Sequence, residues 1–404
     1  MKILIFNAGS STHKSSLYDI GQTLPQEPPA PLWEAAADWG QNQGQTELKV
    51  KANGKTIKTQ LKTDDREEVI KELLQTLWTG ETRVIENLDA VAVVGHRVVH
   101  GGPDFRQSIL LDDDSIKKIR ELAVFAPLHN SANAAGIEVI RKLKNDMPQV
   151  AVFDTAFHST IPRKVATYPG PASWWDEGIR RYGFHGTSHR YCSRKSAEIV
   201  GRDVQGLRLV NCHLGNGSSL AAIRDGKSVD TTMGFTPLEG LMMGTRSGTV
   251  DPSILIYLQR EKGYDAHILD NMLNKQSGLL GISGISGDMR TIHAAEDKGN
   301  PNAILALDML VYRLRYFIAA MVASLEGIDV LTFTGGIGEN DASVRQRVCA
   351  GLSYLGIQID EKLNASSPQD RDISTPDSKV RVLIVHTQED WEITRDCYTI
   401  MQKK

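Results

Sequence analysis

Two arginines stand where an arginine is costly unless an anion meets it. Arg97 lies in GHRVVHGG, flanked by His96 and His100, at the end of an apolar run from Ala90 to Val94. Arg246 lies in EGLMMGTRSGTVDP, a Gly/Thr-rich loop with neither helical nor strand period. A buried guanidinium needs a hydrogen-bonded counter-charge. A structural carboxylate and an anionic substrate both meet that need, and the residues alone leave the two readings open. Asp154 closes the run QVAVFDT and is followed by Thr155 and His158. It reads either as a cap or turn, or as an acid at the carboxyl end of a strand, where α/β sheets collect ligands. His185 and His189, in YGFHGTSHR, have the spacing of a zinc pair. H-E-x-x-H is absent and no Cys ligand is near, so metal ligation is rejected. His185, between Phe184 and Gly186, is suited instead to hydrogen-bonding an anionic transition state.

Three glycine-rich turns follow apolar strands: NAGSST (7–12), HLGNGSS (213–219) and TGGIGEN (334–340). Glycine lets backbone N–H groups approach a phosphate, and Ser or Thr adds donors. None is a P-loop or a clean dinucleotide fingerprint. Singly each reads as a hairpin or tight corner; three at strand ends favour phosphate binding. Lys14 is either a solvated lysine or a point charge for a phosphate. VLIVHTQED (382–390) runs into Glu389 and Asp390, which with Asn7 form an oxygen donor set for a hydrated Mg²⁺ beside nucleotide phosphates.

The elements that must position these residues alternate strand and helix. KILIF (2–6) is a buried strand, turning into a second near 15–20. Residues 21–47 read as a surface excursion, attached to a meander that includes LKVKANG and TIKTQLK. Helices are expected over 64–78, 113–123 and 131–144, from apolar spacing such as Val69, Ile70, Leu73, Leu74 and Leu77. The second half repeats the opening device, strand, Gly/Ser turn, strand, from Leu207. Gly9-Ser10-Ser11 aligns with Gly217-Ser218-Ser219, as a duplication would require. Asn300 and Pro301 start a long helix whose face runs from Ile304 to Leu325, as core or subunit interface, and Gly327 stops it. The strand 329–336 then opens onto GIGEN and a new helix. Both halves give an α/β protein of two lobes with a cleft between them.

Lys and Arg number 46 and Asp and Glu 49, a net charge of −3 over 404 residues, which excludes a nucleic-acid footprint spread over the surface. No segment is apolar enough to span a membrane: 301–326, the most apolar long stretch, is broken by Asp308, Arg313 and Arg315. The four cysteines are far apart, with no C-x-x-C, which fits reduced thiols in a cytoplasmic protein.

NAGSS, GHRVVHGG, APLHN, VFDTAFH, YGFHGTSH, HLGNGSS, TPLEGLMMGTRSG and GGIGEN, in this order and spacing, resemble the acetate kinase family from Met1 to about Tyr398. The resemblance implies a duplicated ribonuclease H-like, actin-like ATPase fold: an N-terminal lobe of 1–157 with a return helix, 391–404, and a nucleotide-binding lobe of 158–390. It implies reversible Mg²⁺-dependent phosphoryl transfer from ATP to acetate, giving acetyl phosphate and ADP, with Mn²⁺ as a substitute ion, by a homodimer. Asn7 and Glu389 resemble the metal site. Lys14, His213 to Gly217 (His213, Leu214, Gly215, Asn216, Gly217), Asp288, Met289 and Arg290, and Gly336 to Asn340 (Gly336, Ile337, Gly338, Glu339, Asn340) resemble the nucleotide contacts. Arg97 resembles the carboxylate-binding arginine, Asp154 the active-site acid, and His185 and Arg246 the transition-state stabilisers. Val99, Leu128, Phe184 and Pro237 resemble the pocket for the acetate methyl. Departures from the family pattern occur at SSTHK, APLHNSAN and SGDMR, and bear on nucleotide preference. The alternatives are a propionate or butyrate kinase of the same family and a non-catalytic, nucleotide-gated actin-like protein. The latter would need an added binding module, and no spare segment of that size exists.

Overall fold

In the computed structural model the described residues are 1–404 apart from 10, 11, 40–43, 368 and 404, and apart from the side chains of 127–129. The chain divides into two units, 1–156 with 388–404, and 157–387. Glu389 and Asp390 therefore fall with Asn7, where the sequence boundary at 390 had put them with the second lobe.

The first unit is built on one mixed sheet. Its strands are β1 Lys2–Ala8, β2 Thr12–Asp19, β3 Trp33–Asp38, β4 Thr46–Ala52, β5 Lys55–Leu61, β6 Val91–Val98, β7 Ile109–Leu110 and β8 Gln149–Phe153. They lie in the order β5-β4-β3-β2-β1-β6-β8-β7. β1 to β5 form an antiparallel meander, while β6 and β8 run parallel to β1. β3 corrects the expected surface excursion. Trp33, Ala35 and Ala37 face inward and Glu34 outward, a period of two that alanine, a weak apolar residue, concealed. The helices Arg66–Gln75 and Pro127–Leu143 pack on the sheet, with Leu73, Leu74, Val139 and Ile140 in one core with Leu4 and Phe6.

The helix Glu389–Met401 lies against β1 and β6. Its approach needs Gly95: a Cβ there would stand 2.5 Å from Cys397 Sγ and 2.8 Å from Ile393 Cγ2. An alanine would force helix and sheet apart.

The second unit carries β9 Arg208–Leu214, β10 Ser218–Arg224, β11 Lys227–Thr231, β12 Val330–Thr334, β13 Arg371–Asp372 and β14 Arg381–Ile384. Their order is β11-β10-β9-β12-β14-β13. Two antiparallel pairs, two parallel pairs and an antiparallel edge repeat the β3-β2-β1-β6-β8-β7 pattern of the first sheet. The duplication is present, but its register differs from the sequence alignment. Ala8 pairs with His13 and Leu214 with Ser218 as the last rungs before each turn, so Gly9 corresponds to Gly215 and not to Gly217. By the same ladders, the positions of Asn7, Arg97 and Asp154 correspond to His213, Thr334 and Thr387.

The helix Pro301–Leu325 fills the middle of the second core, burying Leu307, Leu310, Leu314, Ile318 and Leu325. Each such side chain contributes roughly 1.5–3 kcal/mol. Asn300 caps it, its side chain accepting from the N–H groups of Asn302 and Ala303. Its end departs from expectation in that Glu326, at φ 57°, takes the left-handed position before Gly327. Ile304, expected on the buried face, is 37% exposed. TGGIGEN is not an open turn either: Gly335–Asn340 is itself a short helix, followed by the helix Ala342–Ala350.

All four cysteines are free and buried. Among the described residues no helix is long and apolar enough to cross a membrane.

Candidate active site

In the first unit the carboxyl ends of β1, β6 and the segment after β8 bring Asn7, Arg97 and Asp154 into one hydrogen-bonded group. Arg97 donates through Nε to Asp154 Oδ1 at 2.8 Å, and through Nη2 to Oδ2 at 2.6 Å. Its Nη1 donates to Asn7 Oδ1 at 3.0 Å. Asn7 Nδ2 donates in turn to Asp390 Oδ1 at 2.9 Å, and Ser16 Oγ donates to Asp390 Oδ2 at 2.6 Å. Burial opposes the charge on Arg97, but Asp154, Glu389 and Asp390 outweigh it and raise its pKa. Asp154 is a structural partner of the arginine in this arrangement, with both oxygens engaged. Two Nη hydrogens of Arg97 remain beyond these three bonds, enough to hold a small carboxylate.

Among the described residues no group of three or more His, Cys, Asp and Glu side chains converges as a metal cage. Asn7, Glu389 and Asp390 offer only oxygen, the donor chemistry of a hard cation that keeps several waters. That set fits hydrated Mg²⁺ or Mn²⁺. Asn7, whose amide oxygen already accepts from Arg97, fits as a holder of metal-bound water rather than as a direct ligand.

Lys14 is exposed on β2 and lines a hollow of about 330 Å³ with Lys49, Lys51, Glu34 and Asp390. Val99 is buried, its N–H donating to Asn133 Oδ1 at 3.1 Å. Leu128 sits in the helix Pro127–Leu143, and its side chain lies outside the described residues.

In the second unit His185 caps the helix Gly186–Ile199 with left-handed backbone, φ 57° and ψ 28°. A non-glycine residue holds that conformation at roughly 1–3 kcal/mol, a strain that recurs at functional sites. His158, buried and with its pKa pushed down to about 4 by burial, lies 2.9 Å from the Phe184 carbonyl and steadies the approach to His185. The His185 ring stacks on His213, centroids 4.2 Å apart, and its Nδ1 lies 2.9 Å from Ser219 Oγ.

Arg246 faces the same place. A Cβ on Gly217 would stand 3.4 Å from Arg246 Nη1 and 3.7 Å from His185 Nε2, so the bare glycine keeps open a spot where guanidinium and imidazole converge. Arg246 Nη1 donates to the Pro237 carbonyl at 3.2 Å. Among the described residues it has no carboxylate partner, and burial lowers its pKa. Phe184 is buried; Pro237 contributes its carbonyl to the arginine.

A cavity of about 950 Å³ opens beside this cluster's loop, lined by Gly215 and Asn216, by Asp288, Met289 and Arg290, and by Gly336, Ile337 and Asn340. Its size and bare glycine walls suit a nucleotide. Arg290 holds Asp288 at 2.7 Å and brings its carboxyl down to about 2. Five of the expected nucleotide residues of this unit do not line the cavity. Leu214 is in the core, and His213 hydrogen-bonds Ser188 Oγ at 2.8 Å. Gly217 faces Arg246, and Gly338 backs onto β9 and β12. Glu339 turns inward, accepting from the Gly335 N–H at 2.9 Å and pairing with His386.

Sequence reading missed the far wall, where His293 bridges Asp341 at 2.8 Å and Glu296 at 3.1 Å, and Arg347 joins Glu296 at 2.6 Å. It also missed the buried partners of His185. The Glu296, Asp297, Asp341 spacing carries no motif, and only the polar face of the helix Met289–Glu296 hinted at a lined cavity.

Residues 2–395 match the model of the acetokinase family. An acetate kinase of Cyanothece sp. is 54% identical over 403 residues, covering 100% of this chain and 99% of that protein. The crystal structure of Porphyromonas gingivalis acetate kinase superposes with a TM-score of 0.89 at 40% identity, covering 99% of each chain. A propionate kinase from Francisella tularensis gives the same TM-score at 38% identity, covering 98% of each. The duplicated topology, the two arginine clusters and these likenesses have one common source: the chain belongs to the acetokinase family and has its actin-like ATPase fold.

Proposed function

We propose that this protein is an acetate kinase, catalysing reversible in-line phosphoryl transfer between ATP and acetate to give ADP and acetyl phosphate. The carrying observation is Arg246, a buried cation with no carboxylate partner among the described residues, converging with His185 on the open spot at Gly217. Such a pair awaits an anion, and in phosphoryl transfer that anion is the transferred group.

Acetate, with a pKa of about 4, is ionised at neutral pH and needs no strong base. Asp154, already held by both its oxygens, need not act as one. It fixes the Arg97 guanidinium, whose remaining N–H groups take the carboxylate. The family resemblance assigns Val99 of the first unit, and Phe184 and Pro237 of the second, to the acetate methyl. The nucleotide occupies the cavity of Gly215, Asn216, Asp288 to Arg290, Gly336, Ile337 and Asn340. Arg246 and His185 donate to the phosphoryl oxygens, and Lys14 adds positive charge for the phosphates. Asn7, Glu389 and Asp390 would hold hydrated Mg²⁺, which would offset phosphate charge.

A second reading, a propionate kinase, is favoured by the equal TM-score of the Francisella tularensis enzyme. One methylene is worth about 1–3 kcal/mol in a pocket, so kcat/KM for acetate, propionate and butyrate distinguishes the readings. Mg²⁺- and acetate-dependent release of ADP is the expected result. Its absence in folded protein overturns the assignment.

The same protein is read as a homodimer. The helix Pro252–Lys262 buries no side chain and exposes Ile254, Ile256 and Tyr257, while Tyr312 and Tyr316 stand exposed on Pro301–Leu325. Exposed apolar residues in such number mark an association surface. Sedimentation at micromolar concentration should give a dimer, and Tyr312→Glu should weaken it.

A further inference from the structure

His189 is fully buried, and both of its ring nitrogens are engaged. Nδ1 lies 2.8 Å from Asn211 Nδ2, and Nε2 lies 2.8 Å from Ser219 Oγ. The same hydroxyl lies 2.9 Å from Nδ1 of His185. These contacts have a direction. The Nδ2 of an asparagine only donates, so His189 Nδ1 accepts and the His189 proton sits on Nε2. Ser219 Oγ accepts that proton's hydrogen bond and has its own proton left for His185 Nδ1. His185, accepting at Nδ1, carries its proton on Nε2, the edge of the ring that faces the open spot at Gly217 with Arg246.

We propose that Asn211, His189 and Ser219 are positioning residues, a one-way chain of hydrogen bonds that holds His185 as the neutral Nε2–H tautomer and presents a donor to the transferred phosphoryl group. The inference rests on the role given to His185 above. The other nitrogen's partner sets which tautomer an imidazole adopts, and here that partner is held in turn by two buried residues. Ser219 and Asn211 are wholly enclosed, so water cannot replace a missing link. Burial, with His158 and His213 near by, keeps His189 uncharged and so preserves the direction. A neutral donor also suits a neighbour that already supplies a full positive charge: a second cation beside Arg246 would be opposed until the anion arrived. The amide of Asn211 engages His189 through its donor, while its Oδ1 meets no hydrogen-bond partner.

Nitrogen-15 spectra of the histidine rings read the tautomers directly. In the wild-type protein His185 should carry its proton on Nε2. Ser219→Ala should lower kcat ~10- to 100-fold, at or below the ~10²–10⁴-fold of a lost acid–base group because His185 itself remains, with KM for acetate and ATP within about twofold. It should also give a mixture of His185 tautomers. Ser219→Thr, which restores the hydroxyl, should recover both. Asn211→Asp presents an acceptor to His189 and should move the His185 proton to Nδ1. A wild-type spectrum showing the Nδ1–H tautomer overturns the proposal even if no variant folds. So does a folded Ser219→Ala protein with unchanged kcat and tautomer. Absence of acetate-dependent ADP release by a wild-type protein with the Nε2–H tautomer would overturn the kinase reading while upholding the hydrogen-bond chain.

Discussion

Arg97 and Arg246 are the same side chain solving opposite problems. Arg97 sits in the first unit against a carboxylate that takes two of its donors, with Asn7 taking a third. Arg246 sits in the second unit against a backbone carbonyl, with no acid paired to it among the described residues. The first arrangement has its charge balanced within the chain, which gives rigidity, and keeps two N–H groups for a ligand; the second leaves a cation uncompensated until an anion binds. A buried charge whose partner is absent from the chain points to a ligand more directly than one whose partner is present. The duplication sharpens the contrast. At equivalent ladder positions the first unit holds Asn7, Arg97 and Asp154, and the second holds His213, Thr334 and Thr387. The latter set holds no acid and no arginine, and the Ser188 hydroxyl lies 2.9 Å from Thr387 Oγ1 and 2.8 Å from His213 Nδ1. Charge in the second unit's cluster comes from a loop, not from its sheet.

The largest expected effect comes from Asp154→Ala. It leaves Arg97 buried and unpaired, and should cost about 3–5 kcal/mol of stability as well as activity, read from chemical denaturation. A variant as stable as the wild type would show that the pair is not what holds the first unit's strand ends. Arg246→Ala should do the reverse. It should lower kcat ~10²-fold or more, with a thermal midpoint equal to or above that of the wild type. Near-normal turnover in the folded variant would remove Arg246 from the mechanism. Inorganic phosphate offers a smaller test. At about 100 times its Kd it should stabilise the wild type by about 2.7 kcal/mol, and Arg246→Ala protein should lose most of that gain. Equal stabilisation of both proteins would place the anion elsewhere.

The smallest effect is a difference in pH dependence between imidazoles. His13 and His96 in the first unit are pushed by burial to about 3 and about 4 from 6.5. Their contribution to stability is therefore present above pH 6.5 and is lost as the pH falls toward those values. At His293, in the cavity wall, burial is outweighed by Asp341 and Glu296, which raise its pKa. Its contribution is present below pH 6.5 and disappears as pH rises through the raised value. Melting curves of His293→Gln against wild type should differ at pH 6 and converge in alkali. A gap that widens with pH would reverse the sign assigned to that residue.

Apolar runs with a clear period were readable as strands and helices, and the Gly/Ser hairpins announced the duplication. The misreadings have physical causes. β3 alternates tryptophan and alanine against acids, and alanine is too weakly apolar to show the alternation until Trp33 is seen buried. GGIGEN looked like a turn because glycine permits one; its helix is held by Glu339 reaching back to the Gly335 N–H. The long helix ends on Glu326 in left-handed backbone, one residue before the Gly327 expected to stop it. At the site, residue type marked Arg97, Asp154, His185 and Arg246 as candidates. Which arginine is satisfied depends on partners 57 residues apart for Arg97, a pairing that no local pattern encodes. The same holds for Ser219, met by His185 from 34 positions away.

The helix Glu389–Met401 follows the whole of the second unit in the chain, yet it covers β1 and β6 of the first. During synthesis at ~5–20 residues per second, Ile5 and Gly95 would wait uncovered for roughly 10–50 s while residues 157–387 emerge. The first unit must therefore mature after translation, with its sheet exposed to chaperones or to other nascent chains in the interval. Because the same late segment brings Glu389 and Asp390, a ribosome that stalls before it leaves a product that is both unsealed and lacking the acids beside Arg97. Partial synthesis should thus yield no weakly competent enzyme, and the cell meets only finished kinase or material for degradation.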